Sequence, residues 1–321
     1  MAILVTGGAG YIGSFVTRRL IGDGHLVVIL DDFTTGYRRS MPKEAEVVQG
    51  DMCIIKVLHD VFTSYQIDTV IHLGASISVP ESFKQPLEYY QNNLVSTMNL
   101  LSIGHTYGHV KNFILASSAA VYGNLSLGID THDELQPTSP YGWSKLMAEQ
   151  VVRDHAAKTG ICYANLRFFN VGGAWGSKLG PFNRNAANIT KRIAQTAAGW
   201  NNALDLYGDG NQVRDYVHVE DIADAVIESY RYCRDRGGRF TSNVATGKGR
   251  TIMDLVHAVE NVTGKAMPIN KLPPRQGDVM AMVAGNSTMK NLFGWMPLQS
   301  SAEEIMRSQY EWERSKYWEQ I

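Results

Sequence analysis

Short apolar runs alternate with longer amphipathic stretches through the first half of the chain. Each run is continuous and rich in β-branched residues, as in strands that are buried on both faces. Helical periodicity between such strands predicts βαβ crossovers and a parallel sheet. The expected fold class is therefore α/β, with a doubly wound parallel sheet of the Rossmann type. The predicted strands cover residues 3–5, 26–30, 46–49, 69–73, 112–116 and 162–167.

Helical periodicity is clearest in residues 11–22, 86–107 and 141–159, and a packed terminal helix is expected over residues 302–320. From residue 171 onward the chain is richer in Gly, Asn, Pro and Trp, which predicts a second, smaller mixed α/β domain. Residues 213–245 again have a strand, helix and strand pattern, so we expect them to return to the first domain. The expected first domain is 1–172 with 213–245, and the expected second domain is 173–212 with 246–321.

Composition and charge limit the kinds of binding partner and the compartment that we expect. The 30 Lys and Arg residues balance 31 Asp and Glu residues, giving a formal net charge of -1, so no nucleic-acid surface is expected. No apolar run is long enough for a membrane span, and the first residues do not resemble a signal peptide. Cys53, Cys162 and Cys233 are far apart and lack zinc-ligand spacing. We therefore expect a cytoplasmic protein with reduced thiols and no metal site.

A glycine-rich turn follows the first predicted strand and opens the first predicted helix. Gly7, Gly10 and Gly13 have the spacing that allows a tight turn, a close approach to a pyrophosphate and close packing of helix on strand. Asp31 and Asp32 end the second strand, where a carboxylate accepts hydrogen bonds from ribose hydroxyls and repels a 2′-phosphate. This turn therefore predicts a dinucleotide site that prefers NAD to NADP.

Candidate chemistry lies further along the chain. Tyr141 and Lys145 are four residues apart and so share one face of a helix. An ammonium one turn away stabilises a phenolate, which makes Tyr usable as a base. Ser117 and Ser118 follow the fifth strand, where a hydroxyl can reach the same substrate oxygen.

The chain resembles the extended short-chain dehydrogenase/reductases, and among them most closely the UDP-glucose (UDP-galactose) 4-epimerases. The resemblance extends over essentially the whole chain. The motifs that carry it are TGGAGYIG at 6–13, VIHLGA at 70–75, ESFKQPLEYYQNNLVST at 81–97, SSAAVYG at 117–123, SPYGWSKLMAEQ at 139–150, LRFFNVGGA at 166–174, VRDYVHVEDIADA at 213–225 and RQGD at 275–278.

This resemblance implies a role for each of the matching positions. The implied catalytic residues are Ser118, Tyr141 and Lys145. The implied NAD contacts are Gly7, Gly10, Tyr11, Ile12, Gly13, Asp31, Asp32, Phe33, Thr34, Thr35, Gly36, Asp51, Met52, Leu73, Gly74, Ala75, Ser76, Asn92, Tyr141, Lys145 and Phe169. The implied nucleotide-sugar contacts are Ser118, Tyr141, Asn170, Asn188, Tyr207, Arg214, Arg275, Asp278 and Met282.

The implied reaction is a hydride relay without net redox: C4 of the sugar is oxidised to a 4-keto sugar, which turns and is reduced on its opposite face. Related dehydratases carry an Asp-Glu pair after the strand-end hydroxyl, whereas this chain has Ala119 and Ala120. That ranks 4,6-dehydration second, and a non-enzymatic NAD-binding protein third.

Three positions depart from the epimerase pattern and leave the sugar open. Ile77 replaces a usual lysine, Met282 occupies the position that sets room for a 2-N-acetyl group, and residues 180–188 differ from the usual sugar loop. The family also implies a homodimer that packs through the helices at 86–107 and 141–159. Its candidate apolar contacts are Leu94, Met98, Leu101, Met147 and Val151, which would equally suit an intramolecular core.

Overall fold

The computed structural model describes residues 1–182, 188–274, 279–285 and 288–315. Strands and helices are numbered separately along the chain. The strands are β1 Ala2–Thr6, β2 Leu26–Asp31, β3 Glu46–Gln49, β4 Ile67–His72, β5 Asn112–Ser118, β6 Cys162–Phe168, β7 Asn170–Gly172, β8 Leu204–Tyr207, β9 Val213–His218, β10 Arg239–Val244, β11 Gly249–Thr251, β12 Ile269–Leu272 and β13 Ala281–Met282. The helices are α1 Tyr11–Gly22, α2 Ile55–Ser64, α3 Val79–Lys84, α4 Pro86–Tyr90, α5 Ser96–Tyr107, α6 Pro140–Thr159, α7 Ile189–Ala197, α8 Val219–Arg236, α9 Ile252–Thr263, α10 Thr288–Phe293 and α11 Ala302–Ser315.

A seven-stranded sheet forms the centre of the molecule. Its strand order is β10-β6-β5-β4-β1-β2-β3, and every neighbouring pair is parallel. The order reverses at β1, so the carboxyl ends of β1 and β4 face a crevice where ligands bind in open α/β sheets. The predicted doubly wound Rossmann class is confirmed.

The continuous apolar runs are explained by helices on both faces of this sheet. Ile3 and Val5 of β1 pack in the cluster that includes Phe15 of α1 and Val226 of α8. Leu4 faces the other way, into the cluster formed with residues of α2, α5 and α6. Since both faces are buried, the strands show no alternation of apolar and polar residues.

Smaller sheets lie beyond the large one. One is formed by β11, β9 and β13, with β7 also paired to β9, and β12 pairs with β8. Residues 213–245, which we expected to return to the first domain, are divided between the sheets. β9 joins the smaller sheet, whereas β10 pairs with β6 at the edge of the large sheet. The wider division into two domains stays a prediction.

The long helix predicted over residues 86–107 is interrupted. Gln91–Val95 adopts a π-helical turn between α4 and α5. This wider turn directs the side chains of both Asn92 and Asn93 to Ser76. Within the part of the chain that the structure describes, no helix combines the length and apolar character that crossing a bilayer requires.

Candidate active site

The glycine-rich turn joins β1 to α1 with the close approaches that its sequence predicted. Gly7 has φ 68°, and a Cβ there would lie 2.6 Å from the backbone of Gly74. A Cβ on Gly13 would collide with the carbonyl oxygen of Gly7. Both positions therefore require glycine for the turn to close.

The first turn of α1 is suited to an anion. Gly10 is the N-cap and supplies no side-chain hydrogen bond, and the first turn contains no acidic residue. The leading N–H groups of a helix lack partners within it, and the helix dipole favours a negative charge at this end. A pyrophosphate matches both properties.

Asp31 lies at the end of β2 and holds the glycine-rich turn. Its carboxylate accepts hydrogen bonds from the backbone N–H groups of Ala9 and Phe33, each at 2.9 Å. Burial raises the pKa of Asp31, and these two hydrogen bonds oppose the rise. A carboxylate has about four acceptor positions, so Asp31 keeps capacity for ribose hydroxyls. Asp31 and the glycine-rich turn that it holds thus fit the adenosine side of NAD.

The segment after β2 curls around Asp31. Phe33 adopts a left-handed φ of 61°, and a Cβ on Gly36 would lie 2.7 Å from Asp31 Oδ1. Asp32 is exposed and accepts hydrogen bonds from the N–H and hydroxyl of Thr34. Thr35 is exposed in the same segment.

The ends of β3 and β4 complete this edge of the crevice. Gly74 N donates to the hydroxyl of Thr6 at 3.3 Å, which places the segment Leu73–Ser76 beside the glycine-rich turn. A Cβ on Gly74 would lie 2.9 Å from the methyl group of Met52, so the methionine packs over this segment. Asp51 accepts a hydrogen bond from Cys53 N, and Asn92 donates to the hydroxyl of Ser76.

The three predicted catalytic residues meet where β5 ends against α6. Ser118 is the last residue of β5, and its hydroxyl accepts a hydrogen bond from Ala120 N at 3.2 Å; Tyr141 lies in the first turn of α6, close enough for the Ser118 hydroxyl to lower its pKa. Lys145 is one turn later on the same face, and its Nζ donates to the carbonyl oxygen of Ala116 at 2.8 Å. Tyr141 and Lys145 are both buried.

Burial sets the protonation of this group. It raises the pKa of Tyr141, although the nearby hydroxyl of Ser118 acts in the opposite direction. It also lowers the pKa of Lys145 to about 8, while the carboxylate of Glu149 opposes that change. We expected Lys145 to lower the pKa of Tyr141; burial is the largest influence on that pKa in this structure, and it raises it. A positive charge beside Tyr141 would act in the opposite direction and favour the phenolate.

The predicted substrate residues that the structure describes lie mostly on the smaller sheets. Met282 of β13 is the register partner of Arg214 of β9, and Asn170 of β7 pairs with Tyr216 of β9. Met282 also packs on the cluster of Ala119, Tyr122 and Phe169 beyond Ser118. Tyr207 ends β8. The described part of the smaller sheets thus adjoins the end of β5 that carries Ser118.

One predicted substrate residue is hydrogen bonded within the protein, and two others are not described by the structure. Asn188 is the N-cap of α7: its Oδ1 accepts from Thr190 N, and its Nδ2 donates to Val171 O at 2.6 Å. Its amide is engaged locally, which a sequence position could not reveal. Arg275 and Asp278 lie outside the described residues.

Two buried polar residues beside the site were not anticipated. Asn93 exchanges hydrogen bonds with the backbone of Ser76 and also donates to the hydroxyl of Ser144 on α6. His72 bridges the hydroxyls of Thr6 and Thr97 beneath the crevice. The paired asparagines and the strand-end histidine were visible signals, but their partners come from distant parts of the chain.

Comparison with known proteins agrees with this geometry. The UDP-glucose 4-epimerase of Azospirillum brasilense is 36% identical over 321 residues, covering 98% of this chain and 92% of that protein. A UDP-glucose 4-epimerase crystal structure has a TM-score of 0.94 at 31% identity, covering 98% of both chains. The structure from Stenotrophomonas maltophila, with bound NAD and formylated UDP-arabinopyranose, has a TM-score of 0.92 at 33% identity and the same coverage. The NAD dependent epimerase/dehydratase family profile matches residues 3–245, and the chain belongs to that family.

Proposed function

We propose that this protein is an NAD-dependent isomerase that inverts C4 of a UDP-hexose, of the UDP-glucose/UDP-galactose type. The observation that carries the proposal is the placement of Tyr141 and Lys145, both buried on one face of α6, against the end of β5, where Lys145 Nζ donates to Ala116 O at 2.8 Å and Ser118 is the last residue. This group lies at the carboxyl edge of the sheet, on the side of the glycine-rich turn. The UDP-glucose 4-epimerases named above, which this chain matches over nearly their full length, support the same reaction.

The residues divide the chemistry between them. Bound NAD supplies a hydride acceptor and a positive charge near Tyr141. Tyr141 takes the proton of the sugar 4-hydroxyl as C4 loses its hydride, which leaves a ketone at C4. Ser118 donates a hydrogen bond to the 4-oxygen, and Lys145 stabilises the phenolate. Return of the proton and hydride, the latter to the opposite face, gives the C4 epimer with no net redox change.

The nucleotide anchors the substrate while the sugar turns. Arg214 is suited to a diphosphate, since a guanidinium forms paired charge-assisted hydrogen bonds with phosphate oxygens. Arg275 is proposed to share the diphosphate and Asp278 to bind a ribose diol, as the family implies. Remote contacts of this kind supply binding energy without restraining the reacting ring. Asn170, Asn188, Tyr207 and Met282 are proposed to complete the nucleotide-sugar contacts.

We also propose that the protein forms a homodimer through α5 and α6. Met98 on α5 and both Trp143 and Met147 on α6 are exposed. Leu101, which we counted as a possible dimer contact, packs in the intramolecular core. We place the reaction in the cytoplasm, where Cys53, Cys162 and Cys233, which form no disulfide with one another, would remain reduced.

The function is tested by incubating the purified protein with UDP-galactose, UDP-N-acetylgalactosamine and UDP-xylose separately and following products by NMR. We expect at least one substrate to equilibrate with its C4 epimer without net reduction of NAD. Accumulation of a 4-keto-6-deoxy sugar instead would identify a dehydratase. Absence of any C4 inversion with these substrates would contradict the proposal.

The assigned base is tested by Tyr141→Phe. This variant keeps the ring but loses the proton acceptor, so turnover should fall by about 10² to 10⁴ while NAD still copurifies. Tyr65→Phe is the matched control, because its hydroxyl contacts only Glu46 at 3.4 Å on the surface. Full activity in Tyr141→Phe would rule out Tyr141 as the base.

A further inference from the structure

Three consecutive residues at the end of β5 contact one face of α6. The carbonyl oxygen of Ala116 accepts a hydrogen bond from Lys145, and the hydroxyl of Ser118 lies close enough to Tyr141 to lower its pKa. Between them, the hydroxyl of Ser117 donates to Glu149 Oε1 at 2.5 Å. Glu149 follows Lys145 by one helical turn and is completely buried. The contact between Ser117 and Glu149 therefore lies beside the two proposed catalytic contacts but has no part in the reaction itself.

Glu149 is itself held rigidly. Arg167 of β6 binds it through two parallel hydrogen bonds, Nε to Oε1 at 2.9 Å and Nη2 to Oε2 at 2.8 Å. The same guanidinium donates to the hydroxyl of Tyr122 at 2.8 Å, and that hydroxyl donates to Asn243 of β10 at 2.7 Å. A buried charge pair with these additional bonds is fixed in geometry, since a paired guanidinium loses little freedom by binding a carboxylate.

This network reaches Ser118 from both sides. Ser117 precedes Ser118, and Tyr122 ends the single turn Ala119–Tyr122 that follows it. The carboxylate of Glu149 contacts Ser117 directly and is linked to Tyr122 through Arg167. A shift of this carboxylate therefore displaces the strand end that presents the Ser118 hydroxyl.

We propose that Glu149 is a positioning residue for C4 epimerisation: its carboxylate fixes the Ser117–Ser118 end of β5 against the face of α6 that carries Tyr141 and Lys145. The inference rests on the proposed function, because it assigns Glu149 a task only if those three residues perform the proton transfer. Glu149 touches neither substrate nor cofactor in this scheme. Its effect is exerted through Ser117 and through its charge.

The charge of Glu149 acts on Lys145, which burial would otherwise disfavour as an ammonium. The other titratable groups that face Lys145 are His72 of β4, whose pKa is lowered by burial and then by Lys145, and Tyr141 of the same helix. Around Glu149 the titratable or charged groups are Arg167 and Tyr163 of β6, Tyr122 after β5 and Arg153 on its own helix. Loss of the negative charge at 149 should therefore lower the pKa of Lys145 further.

The contact alone is tested by Ser117→Ala, which removes the hydrogen bond to Glu149 and leaves the ion pair intact. A misplacement of Ser118 should lower kcat about tenfold in the NAD-bound enzyme and leave KM for UDP-galactose unchanged. Ser229→Ala is the matched control. It deletes another completely buried serine hydroxyl, which donates to Ala225 O at 2.7 Å within α8, and should keep wild-type kcat.

Reach and charge are separated by two substitutions of Glu149. Glu149→Asp keeps the charge and shortens the side chain, so kcat should fall while the pH profile stays that of the wild type. Glu149→Gln keeps the length and loses the charge. If turnover requires the Lys145 ammonium, the alkaline limb of the pH profile of kcat in this variant should move to lower pH by about one unit. Glu149→Gln leaves Arg167 buried without a counter-charge, so if it does not fold, Ser117→Ala and Glu149→Asp decide the question.

The outcomes distinguish this inference from the proposed function. Wild-type kcat in both Ser117→Ala and Glu149→Asp, alongside an inactive Tyr141→Phe, would overturn the positioning role and leave epimerisation standing. An unchanged alkaline limb in folded Glu149→Gln would overturn the role of its charge. Failure of the proposed function would instead appear as a wild-type enzyme that inverts no C4 centre.

Discussion

His72 lies beneath the candidate active site and remains neutral there. Its ring nitrogens contact the hydroxyls of Thr6 at 2.7 Å and Thr97 at 3.1 Å, so it connects the strand before the glycine-rich turn to α5. Burial, followed by the nearby Lys145 ammonium, lowers the pKa of His72 to about 3. A proton on this ring would add a positive charge to an interior that already contains one.

This burial predicts a loss of stability in acid. The folded pKa of His72 is below the unfolded value, so its contribution is intact above about pH 6.5 and falls as the pH decreases toward the folded value. Between pH 6.5 and 5.0 the free energy of unfolding of the wild type should fall by about 2 kcal/mol more than that of His72→Gln. Urea denaturation at both pH values measures the difference. His109→Gln, at an exposed loop, should follow the wild type, and parallel curves for His72→Gln would contradict the prediction.

At the residue scale, the sequence predicts which side chains take part but not all of their partners. The glycine spacing fixed the turn at Gly7 and Gly13, because both positions are constrained by local backbone geometry. Asp31 was expected to face a ribose, yet it also holds Ala9 N and Phe33 N. Glu149 passed as one polar residue in a helix, since its partners Ser117 and Arg167 are 32 and 18 residues away.

At the scale of elements, the start of α6 controls the orientation of Tyr141. Ser139 is the N-cap, and its hydroxyl accepts a hydrogen bond from Gly142 N at 3.1 Å, with Pro140 in the first turn. Tyr141 lies inside this same turn. The cap therefore restrains both the end of the helix and the phenol that it presents to Ser118.

Removal of the cap should affect stability and turnover together. Ser139→Ala should lower the free energy of unfolding by about 1 kcal/mol and reduce kcat several-fold, because the first turn of α6 frays. Thr251→Ala removes the capping box of α9 and is the control. It should cost a similar free energy with no change in kcat, as measured by denaturation and by the C4 epimerisation assay. Equal kcat in the two variants would show that fraying does not reach Tyr141.

Element boundaries were predictable where apolar periodicity decides them. The predicted helix at 11–22 agrees with α1, and the predicted strand at 46–49 agrees with β3. The π-helical turn at Gln91–Val95 was not predictable, because it depends on Asn93 reaching the backbone of Ser76 and the hydroxyl of Ser144. A periodic pattern records which face is buried, but not a turn widened by distant hydrogen bonds.

At the scale of the whole molecule, the chain crosses between sheets at the edge that holds the candidate site. β9 pairs with β7, β11 and β13, and the chain then returns through α8 to place β10 beside β6. Strand and helix types in residues 213–245 were predictable from their patterns. The sheet that each strand joins was not, because pairing depends on partners far along the chain. Because the chain crosses between the sheets in this way, Arg214 and Met282 lie on one sheet, next to the end of β5 that carries Ser118.

The proposed homodimer makes the final prediction. In a two-fold interface each substituted residue occurs twice, so one introduced charge places two like charges in the same apolar surface. Met98→Lys and Met147→Lys should therefore convert a dimer of twice the 35.6 kDa chain mass into monomers, as measured by light scattering during gel filtration. Leu298→Lys is the control, since Leu298 is 83% exposed but lies outside α5 and α6. A wild-type protein that elutes as a monomer at micromolar concentration, or lysine variants that remain dimeric, would exclude this interface.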